Sequence, residues 1–254
     1  MKNIEYQIEN KIGFLRFNRP EKHNSFSIEL LEELSQLLEN EETNTNVRAV
    51  IFTGKGDKSF SSGVDLSELI KFNSIEDARN FAILLESTSE KIFKFPKPTI
   101  SAINGFAIGG GMGFASATDY RILSNTAKVG FPAIKLGAIL PVSCTLFLNS
   151  LIGVAKSRDI LLTGRMIESK EALEMGLVNK VVEQNEVVTE AIKIANTILE
   201  GNDTAITYTK KTVNNMLLKD IESQKLYAAD NFAYLSQTQE WKKRMNEFNN
   251  KNKK

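Results

Sequence analysis

Apolar and polar residues alternate at the start of the chain and then change to a helical period. Residues 4–8 and 12–17 alternate on either side of a short polar break, which predicts a β-hairpin. Ser27 precedes leucines spaced three and four residues apart, so we predict an amphipathic helix that begins after Ser27 and ends near residues 40–46. The start of the chain therefore predicts two strands followed by one helix.

Two short apolar runs farther along the chain are typical of strands buried on both faces. Residues 47–52 and 99–103 are rich in branched side chains. Between them, apolar residues at helical spacing predict a helix that begins around Ser74 and is stopped by Pro96 and Pro98. Alternating strands and helices over the first 180 residues indicate βα units around a largely parallel sheet, which is an α/β fold.

The last 70 residues show helical spacing without a strand pattern. Gly164, Gly176 and Gly201 each follow a helical stretch, as a C-cap glycine does. We therefore predict two parts: residues 1–185 form an α/β core that carries the functional site, and residues 186–254 form a helical C-terminal region.

Composition excludes several classes of protein. The 254 residues carry a net charge of +1, so no overall field favours nucleic acid or an anionic membrane as a partner. The single cysteine, Cys144, excludes an intrachain disulfide, and the single histidine, His23, removes zinc sites that need a histidine pair. The N-terminal residues are charged and carry no signal-peptide pattern, so we expect a cytoplasmic protein without a bound metal.

Two glycine-rich loops stand out as candidate chemistry, because each follows an expected strand. They are residues 60–66 and residues 108–113, and a helix is expected to follow the second over residues 114–118. Glycine lets a ligand approach backbone N–H groups, and two such donors aimed at one oxygen stabilise a developing oxyanion. The spacing fits neither a P-loop nor a dinucleotide-binding loop. Glycine-rich turns also serve packing alone, so the loops by themselves leave the function open.

The order and spacing of several short motifs resemble the crotonase (enoyl-CoA hydratase/isomerase) superfamily over nearly the whole chain. These motifs are residues 18–24, 60–66, 102–105 with 109–111, Asp119, 161–164 and 171–178. The resemblance implies a crotonase-like spiral of βαβ units, followed by C-terminal helices that assemble a homotrimer or a hexamer. It also implies a thioester substrate, carried by coenzyme A or an acyl carrier protein, with no cofactor other than the coenzyme A of the substrate.

The resemblance also assigns site residues. The backbone N–H groups of Val64 and Gly110 are placed as the oxyanion hole that holds the thioester oxygen. The positions assigned to substrate binding are Lys22, His23, Asn24, Ser62, Asp65, Leu66, Ser67, Gly109, Gly113, Ala133 and Lys251. Among these, Lys251 belongs to a basic tail, residues 242–254, that holds six cations and one anion and matches a region that contacts coenzyme A phosphates.

The chain departs from similar hydratases at the two positions where they carry catalytic glutamates. Here these positions are Gly113 and Ala133. Adding water to an enoyl thioester requires a group that deprotonates the water and a group that supplies a proton, and neither glycine nor alanine does either. We therefore expect double-bond isomerisation or decarboxylation ahead of hydration. A hydratase with a displaced base and a non-catalytic acyl-CoA-binding subunit are the alternatives.

A double-bond isomerase needs one base, and three acidic residues near the site motifs are candidates. Asp65 is expected to be a helix cap or a coenzyme A contact. Glu68 and Glu86 are expected to lie on solvated helix faces. Cys144 is expected to be a buried thiol, with a place in the wall of the acyl pocket as its functional alternative.

Overall fold

The computed structural model describes the backbone of residues 1–251 and the side chains of residues 1–248. The strands in this part of the chain are β1 (Ile4–Glu9), β2 (Ile12–Phe17), β3 (Ala49–Gly54), β4 (Ser59–Ser61), β5 (Thr99–Ile103), β6 (Phe106–Ile108), β7 (Tyr120–Ser124), β8 (Lys128–Gly130), β9 (Met166–Glu168) and β10 (Lys180–Val182). The helices are α1 (Ile28–Glu42), α2 (Leu66–Leu69), α3 (Ile75–Lys94), α4 (Gly110–Ser116), α5 (Val142–Ile152), α6 (Val154–Thr163), α7 (Ser169–Glu174), α8 (Val187–Leu199), α9 (Asp203–Ser236) and α10 (Gln239–Lys251). Short 3₁₀ turns at Pro20–Lys22, Pro132–Leu136 and Gln184–Glu186 complete these elements.

The strands form two sheets that pack into one α/β core. A six-stranded sheet has the order β1-β2-β3-β5-β7-β10, and a four-stranded sheet has the order β4-β6-β8-β9. In the six-stranded sheet, the predicted hairpin β1-β2 is antiparallel and the other neighbouring strands pair in parallel. This confirms the α/β fold and the largely parallel main sheet that the sequence predicts.

Helix boundaries follow the caps that the sequence contains. The Ser27 side chain accepts the Leu30 N–H at 3.3 Å and starts α1. Ser74 and Asp77 form a reciprocal capping box at the start of α3. The helix ends at Lys94, just before the first proline of the Pro-Lys-Pro segment. These boundaries confirm the two predicted helices.

The glycine-rich segment before α4 differs from its prediction. It contains a short strand, β6, and α4 begins at Gly110 rather than near residue 114. Sequence patterning misses β6 because a strand of three residues has too few alternating positions to show a period. The consequence for function is that the glycines from Gly110 onward form the first turn of a helix.

A cluster of phenylalanines lies beneath the glycine-rich loops. Phe26 stacks on Phe114 with ring centroids 4.6 Å apart, and Phe17 contacts both Phe26 and Phe60 edge-on. All four rings are fully buried. Burying one such side chain stabilises the fold by about 1.5–3 kcal/mol, so the cluster fixes the loops above it.

The C-terminal part is helical throughout the described residues that follow β10. Helix α8 packs on the main sheet through Val187, Ala191 and Ala195, whereas α9 packs along α3 and α5. The boundary near residue 185 stays a prediction, because α8 shares its core with the strands. Within the described residues, no helix combines the length and apolar character that crossing a membrane requires.

Candidate active site

The two glycine-rich loops contact each other through their backbones. Gly63 and Gly109 adopt positive φ angles of 85° and 54°. A Cβ on Gly63 would lie 2.5 Å from the Ile108 carbonyl oxygen and 3.0 Å from the Gly110 nitrogen. A Cβ on Gly111 would collide with the Ser61 carbonyl in the same way. Glycine is therefore required at residues 63 and 111 for this approach.

Val64 and Gly110 are neighbours at this junction, and each has a free backbone N–H. The Phe26 N–H donates to the Gly63 carbonyl at 2.7 Å, and the Asp65 N–H donates to the Phe26 carbonyl at 2.9 Å. In such a parallel pairing, the N–H of the intervening residue, Val64, points away from the partner strand. Gly110 is the first residue of α4, where N–H groups have no acceptor within the helix. Within residues 1–251, neither N–H donates a hydrogen bond.

Helix α4 carries the first position at which similar hydratases have a glutamate, and the space beside it is filled. A Cβ on Gly113 would lie 2.5 Å from Cys144 Sγ and 3.3 Å from Cys144 Cβ. Cys144 is fully buried, and its thiol contacts Ser89 Oγ at 3.8 Å. Burial raises the pKa of the Cys144 thiol to about 12, so it stays protonated at neutral pH. Cys144 therefore occupies the position toward which a side chain at residue 113 would point.

The second glutamate position, Ala133, lies in the 3₁₀ turn after β8. Ala133 is half-buried and packs on the main hydrophobic core. Its carbonyl accepts the Ala138 N–H at 3.0 Å. Its methyl group offers no acid or base, so neither glutamate position supplies a carboxylate.

Asp65 caps α2 and holds an ion pair. Its Oδ1 accepts the N–H and the hydroxyl of Ser67 at 3.1 and 2.6 Å, and its Oδ2 lies 2.8 Å from Arg19. Burial raises the pKa of Asp65, but the hydrogen bonds from Ser67 and Arg19 outweigh it and hold that pKa below its usual value. The predicted cap is confirmed, and both carboxylate oxygens are engaged within the protein.

Asn24 fixes the loop that carries the first motif. Its side chain is fully buried, and its place in substrate binding stays a prediction. Its amide donates to the carbonyls of Lys55 and Ser59 at 3.0 and 2.8 Å, and its oxygen accepts the Arg19 N–H at 3.1 Å. The side chain therefore holds residues 19, 55 and 59 together.

Arg19 is a positioning residue that sequence reasoning did not single out. Besides Asp65, its guanidinium donates to the Ser25 carbonyl at 2.6 Å, so one side chain joins residues 19–25 to the start of α2. The signal available in the sequence was the arginine inside the first motif, but its partner 46 residues away has no sequence signature.

The remaining coenzyme A positions lie along one edge of the loops. Lys22 and His23 are exposed, and the Ser62 N–H donates to the His23 carbonyl at 3.0 Å. Leu66 is half-buried at the start of α2, next to the exposed Ser67. Gly109 faces open space, because a Cβ there would meet nothing within 4 Å. Lys251 ends α10, and its side chain lies outside the described residues.

The two other acidic candidates differ sharply in environment. Glu68 is half-buried and pairs with Lys71 at 3.5 Å. Glu86 is only 4% exposed, which shows that the expected solvated position is wrong. Its Oε1 accepts the Ser143 N–H at 3.0 Å, and burial raises its pKa. The prediction fails because α3 is covered on more than one side, by α1, α5 and α9.

Side chains that commonly bind metal ions do not cluster within the described residues. Among the described residues, no three histidine, cysteine, aspartate or glutamate side chains lie close enough together to hold a metal ion.

An α/β core that presents two free backbone N–H groups from packed glycine loops, followed by a helical region, defines a crotonase-type protein. The chain belongs to the enoyl-CoA hydratase/isomerase family, whose model matches residues 7–254.

Two relatives match the chain over nearly its full length. It is 34% identical to a short-chain-enoyl-CoA hydratase from Clostridium acetobutylicum over 100% of this chain and 97% of the relative. It is 35% identical to a crotonyl-CoA hydratase from Syntrophomonas wolfei, over 99% of this chain and 96% of the relative. The crystal structure of an enoyl-CoA hydratase from Bacillus halodurans superposes with a TM-score of 0.90 at 28% identity, covering 96% of this chain and 99% of that one. These relationships confirm the family and the crotonase fold that the motifs imply.

Proposed function

We propose that the protein binds an acyl-CoA thioester and stabilises its enolate with the N–H groups of Val64 and Gly110. We further propose that it isomerises a double bond or removes a carboxyl group in preference to hydrating an enoyl thioester. The observation that carries the second proposal is the contact of Gly113 with Cys144, which leaves no space for the usual carboxylate.

The proposed oxyanion hole acts through the main chain. When the substrate loses its α-proton, negative charge collects on the thioester oxygen, and both N–H groups donate to it. Each such donor is worth about 3 kcal/mol of transition-state stabilisation. Both donors lie on elements fixed by the phenylalanine cluster, so little reorganisation is needed when the charge develops.

The preferred reactions follow from the number of acids and bases they require. Isomerisation needs one group that moves a proton between carbons of the acyl chain. Decarboxylation needs none, because loss of CO₂ generates the enolate directly. Hydration also needs a group that activates water, and residues 113 and 133 supply none.

Hydration by a displaced base is the second candidate. It is favoured by the names of the relatives from C. acetobutylicum and S. wolfei, both hydratases of about one-third identity. The carrier of the acyl group, coenzyme A or a carrier protein, stays a proposal in either case. We also propose a cytoplasmic location.

We propose coenzyme A contacts at Lys22, His23 and Ser62, with Lys251 reaching a phosphate. We also propose a homotrimer or a hexamer, assembled through the helical region. Large apolar side chains exposed on α9 support this assembly: Tyr208, Val213, Met216, Leu226, Tyr227 and Tyr234. Light scattering after gel filtration measures the mass directly, and a species of 28 kDa would contradict the assembly.

The purified protein should be offered three thioesters: a 3-enoyl-CoA, crotonyl-CoA and a malonyl-type CoA. We expect formation of a conjugated 2-enoyl product or release of CO₂, with hydration of crotonyl-CoA at least 100-fold slower than the faster of these. Rapid hydration would establish the second candidate instead. Binding of all three thioesters without turnover would identify a non-catalytic subunit and overturn the proposal.

A further inference from the structure

Glu86 is a buried carboxylate that lacks a counter-ion. It lies on α3 facing the first turn of α5, and its Oε1 accepts the Ser143 N–H at 3.0 Å. Within the described residues, no lysine or arginine nitrogen lies within 4.0 Å of it. Glu90, one turn farther along α3, is also buried but pairs with Lys94 at 2.6 Å and Lys225 at 3.7 Å. Of these two neighbouring glutamates, only Glu90 has positively charged partners within 4.0 Å in the part of the chain that the structure describes.

Glu86 lies close to the proposed oxyanion hole through a short chain of contacts. It binds the backbone of Ser143, and the next residue, Cys144, contacts Gly113. Gly113 lies three residues along α4 from Gly110, a rise of about 4.5 Å. The carboxylate is therefore connected through Ser143 and Cys144 to the position at which the resemblance implies a glutamate, residue 113.

Two features give this carboxylate freedom to act. Glu86 borders a cavity of about 20 Å³, which has room for one water and is too small for an acyl chain. The hydroxyl of Ser143 is buried beside it without a hydrogen-bond partner among the described residues. The side chain consequently has adjacent space and an unused polar neighbour, as catalytic groups in an unliganded site often do.

We propose that Glu86 is the general base of this enzyme, replacing from α3 the two glutamates missing at residues 113 and 133. This inference rests on the proposed function and selects isomerisation within it. Because the adjacent cavity has room for one water and not for an acyl chain, the carboxylate takes the proton from C2 of a 3-enoyl thioester through that water. The C–H electron pair forms the enolate held by Val64 and Gly110. The enolate then collapses as C4 takes the proton back from Glu86 through the same water, which leaves a C2=C3 double bond and an ionised carboxylate.

The charged surroundings suit this role. Glu90 on the same helix repels a negative charge on Glu86, Cys144 on α5 stays a neutral thiol, and Lys225 on α9 lines the far side of the cavity. Burial with a neighbouring carboxylate raises the pKa of Glu86, and a base whose pKa is closer to neutral accepts a carbon-bound proton more readily.

The test compares Glu86→Gln with Glu90→Gln. Glutamine at residue 86 keeps the size of the side chain and an oxygen that accepts the Ser143 N–H, but it cannot take a proton. We expect at least a 100-fold loss of kcat for 3-enoyl-CoA isomerisation in Glu86→Gln with KM changed less than threefold. Glu90→Gln, one helical turn away, removes a repelling charge but leaves the carboxylate of Glu86, so it should retain kcat within tenfold.

A second measurement distinguishes loss of the catalytic base from loss of the folded structure. Butyryl-CoA cannot isomerise, yet its α-protons exchange in D₂O when a base and an oxyanion hole act together, and NMR follows this exchange. We expect exchange by the wild type and by Glu90→Gln, weak exchange by Glu86→Asp and none by Glu86→Gln.

Each outcome has a distinct meaning. Equal exchange and turnover by the wild type and Glu86→Gln would overturn the role of Glu86 and leave the proposed enolate chemistry standing. Absence of both exchange and isomerisation in the wild type would overturn the proposed function, and the role of Glu86 with it. If Glu86→Gln does not fold, exchange by folded Glu86→Ala at the wild-type rate would refute the proposal, because alanine carries no carboxylate.

Discussion

Cys144 lies where a side chain on Gly113 would have to go, with Sγ only 2.5 Å from the position of a Cβ there. The two residues are therefore coupled: the volume at residue 144 decides what residue 113 can be. Since protein interiors are close-packed, a larger group at residue 113 requires a smaller one at residue 144.

The first prediction concerns this coupling. Gly113→Glu alone should lower the stability by about 1–3 kcal/mol, because it overpacks α4 against α5. The double variant Gly113→Glu/Cys144→Gly should be more stable than the sum of the two single changes, and it should gain hydration of crotonyl-CoA. Urea unfolding and a hydration assay measure both effects. Additive stability changes would show that the two positions are independent.

The second prediction concerns the N–H of Gly110. Proline is tolerated at the first position of a helix and replaces this N–H with a ring carbon, so Gly110→Pro should fold and lose at least 10²–10³ in kcat. Gly110→Ala keeps the N–H, and its methyl group would meet only ordinary contacts at 3.6 Å or more. It is thus the matched control, with activity well above that of the proline variant. Equal rates for the two variants would argue against a role for this N–H.

The third prediction is the pH dependence of the Arg19–Asp65 pair. The folded-state pKa of Asp65 is lowered, so its contribution to stability is present above its ordinary pKa and is lost as pH falls through the folded value. Asp65→Asn keeps a capping oxygen but not the charge, and should cost about 1–2 kcal/mol at pH 7. Denaturant unfolding at pH 7 and pH 3 should show a smaller difference at the lower pH. A constant difference would mean that the charge is not involved.

The fourth prediction concerns Glu86, for which stability changes with pH in the direction opposite to that of Asp65. The folded-state pKa of Glu86 is raised, so the folded protein binds an extra proton, and stability falls as pH rises from the ordinary glutamate pKa to the folded value. Glu86→Gln removes this slope and should be at least as stable as the wild type at pH 7. Thermal unfolding between pH 4 and pH 8 provides the comparison. A variant less stable than the wild type throughout would show that Glu86 is retained for packing.

The fifth prediction concerns the thiol. Cys144 is fully buried, and its pKa is raised to about 12. Because the thiolate is the reactive form, a maleimide should label the native protein at a negligible rate and should label it fully in denaturant. Rapid native labelling would place the thiol at an accessible wall of the site.

Much of the fold could be predicted because its signals are local. The hairpin, α1 and α3 follow from alternation, leucine spacing and the serine caps at residues 27 and 74. The strand β6 could not be predicted, because three residues carry no usable period. The boundary near residue 185 stays a prediction, because α8 joins the core by packing on strands far away in the sequence.

The candidate site, like the fold, could be predicted only where its signals are local in the sequence. The two glycine loops could be recognised from composition and spacing. The replacement of both expected glutamates could be recognised because the motifs fix their positions. Burial could not be predicted where it depends on distant elements: Asn24 is enclosed by Lys55 and Ser59, and Glu86 is covered by α5. Of these two residues, the structure corrects the expected position of Glu86, which is buried and not solvated.

The close approach of Gly63 to Gly110 distinguishes the backbone, which the fold holds fixed, from the side chains around it, which can change. The proposed oxyanion hole is built from peptide groups alone, so it requires no particular functional group on the side chain of residue 64. Under the proposed function, replaceable side chains such as those at residues 113 and 133 select the reaction, while the backbone that binds the thioester oxygen stays the same.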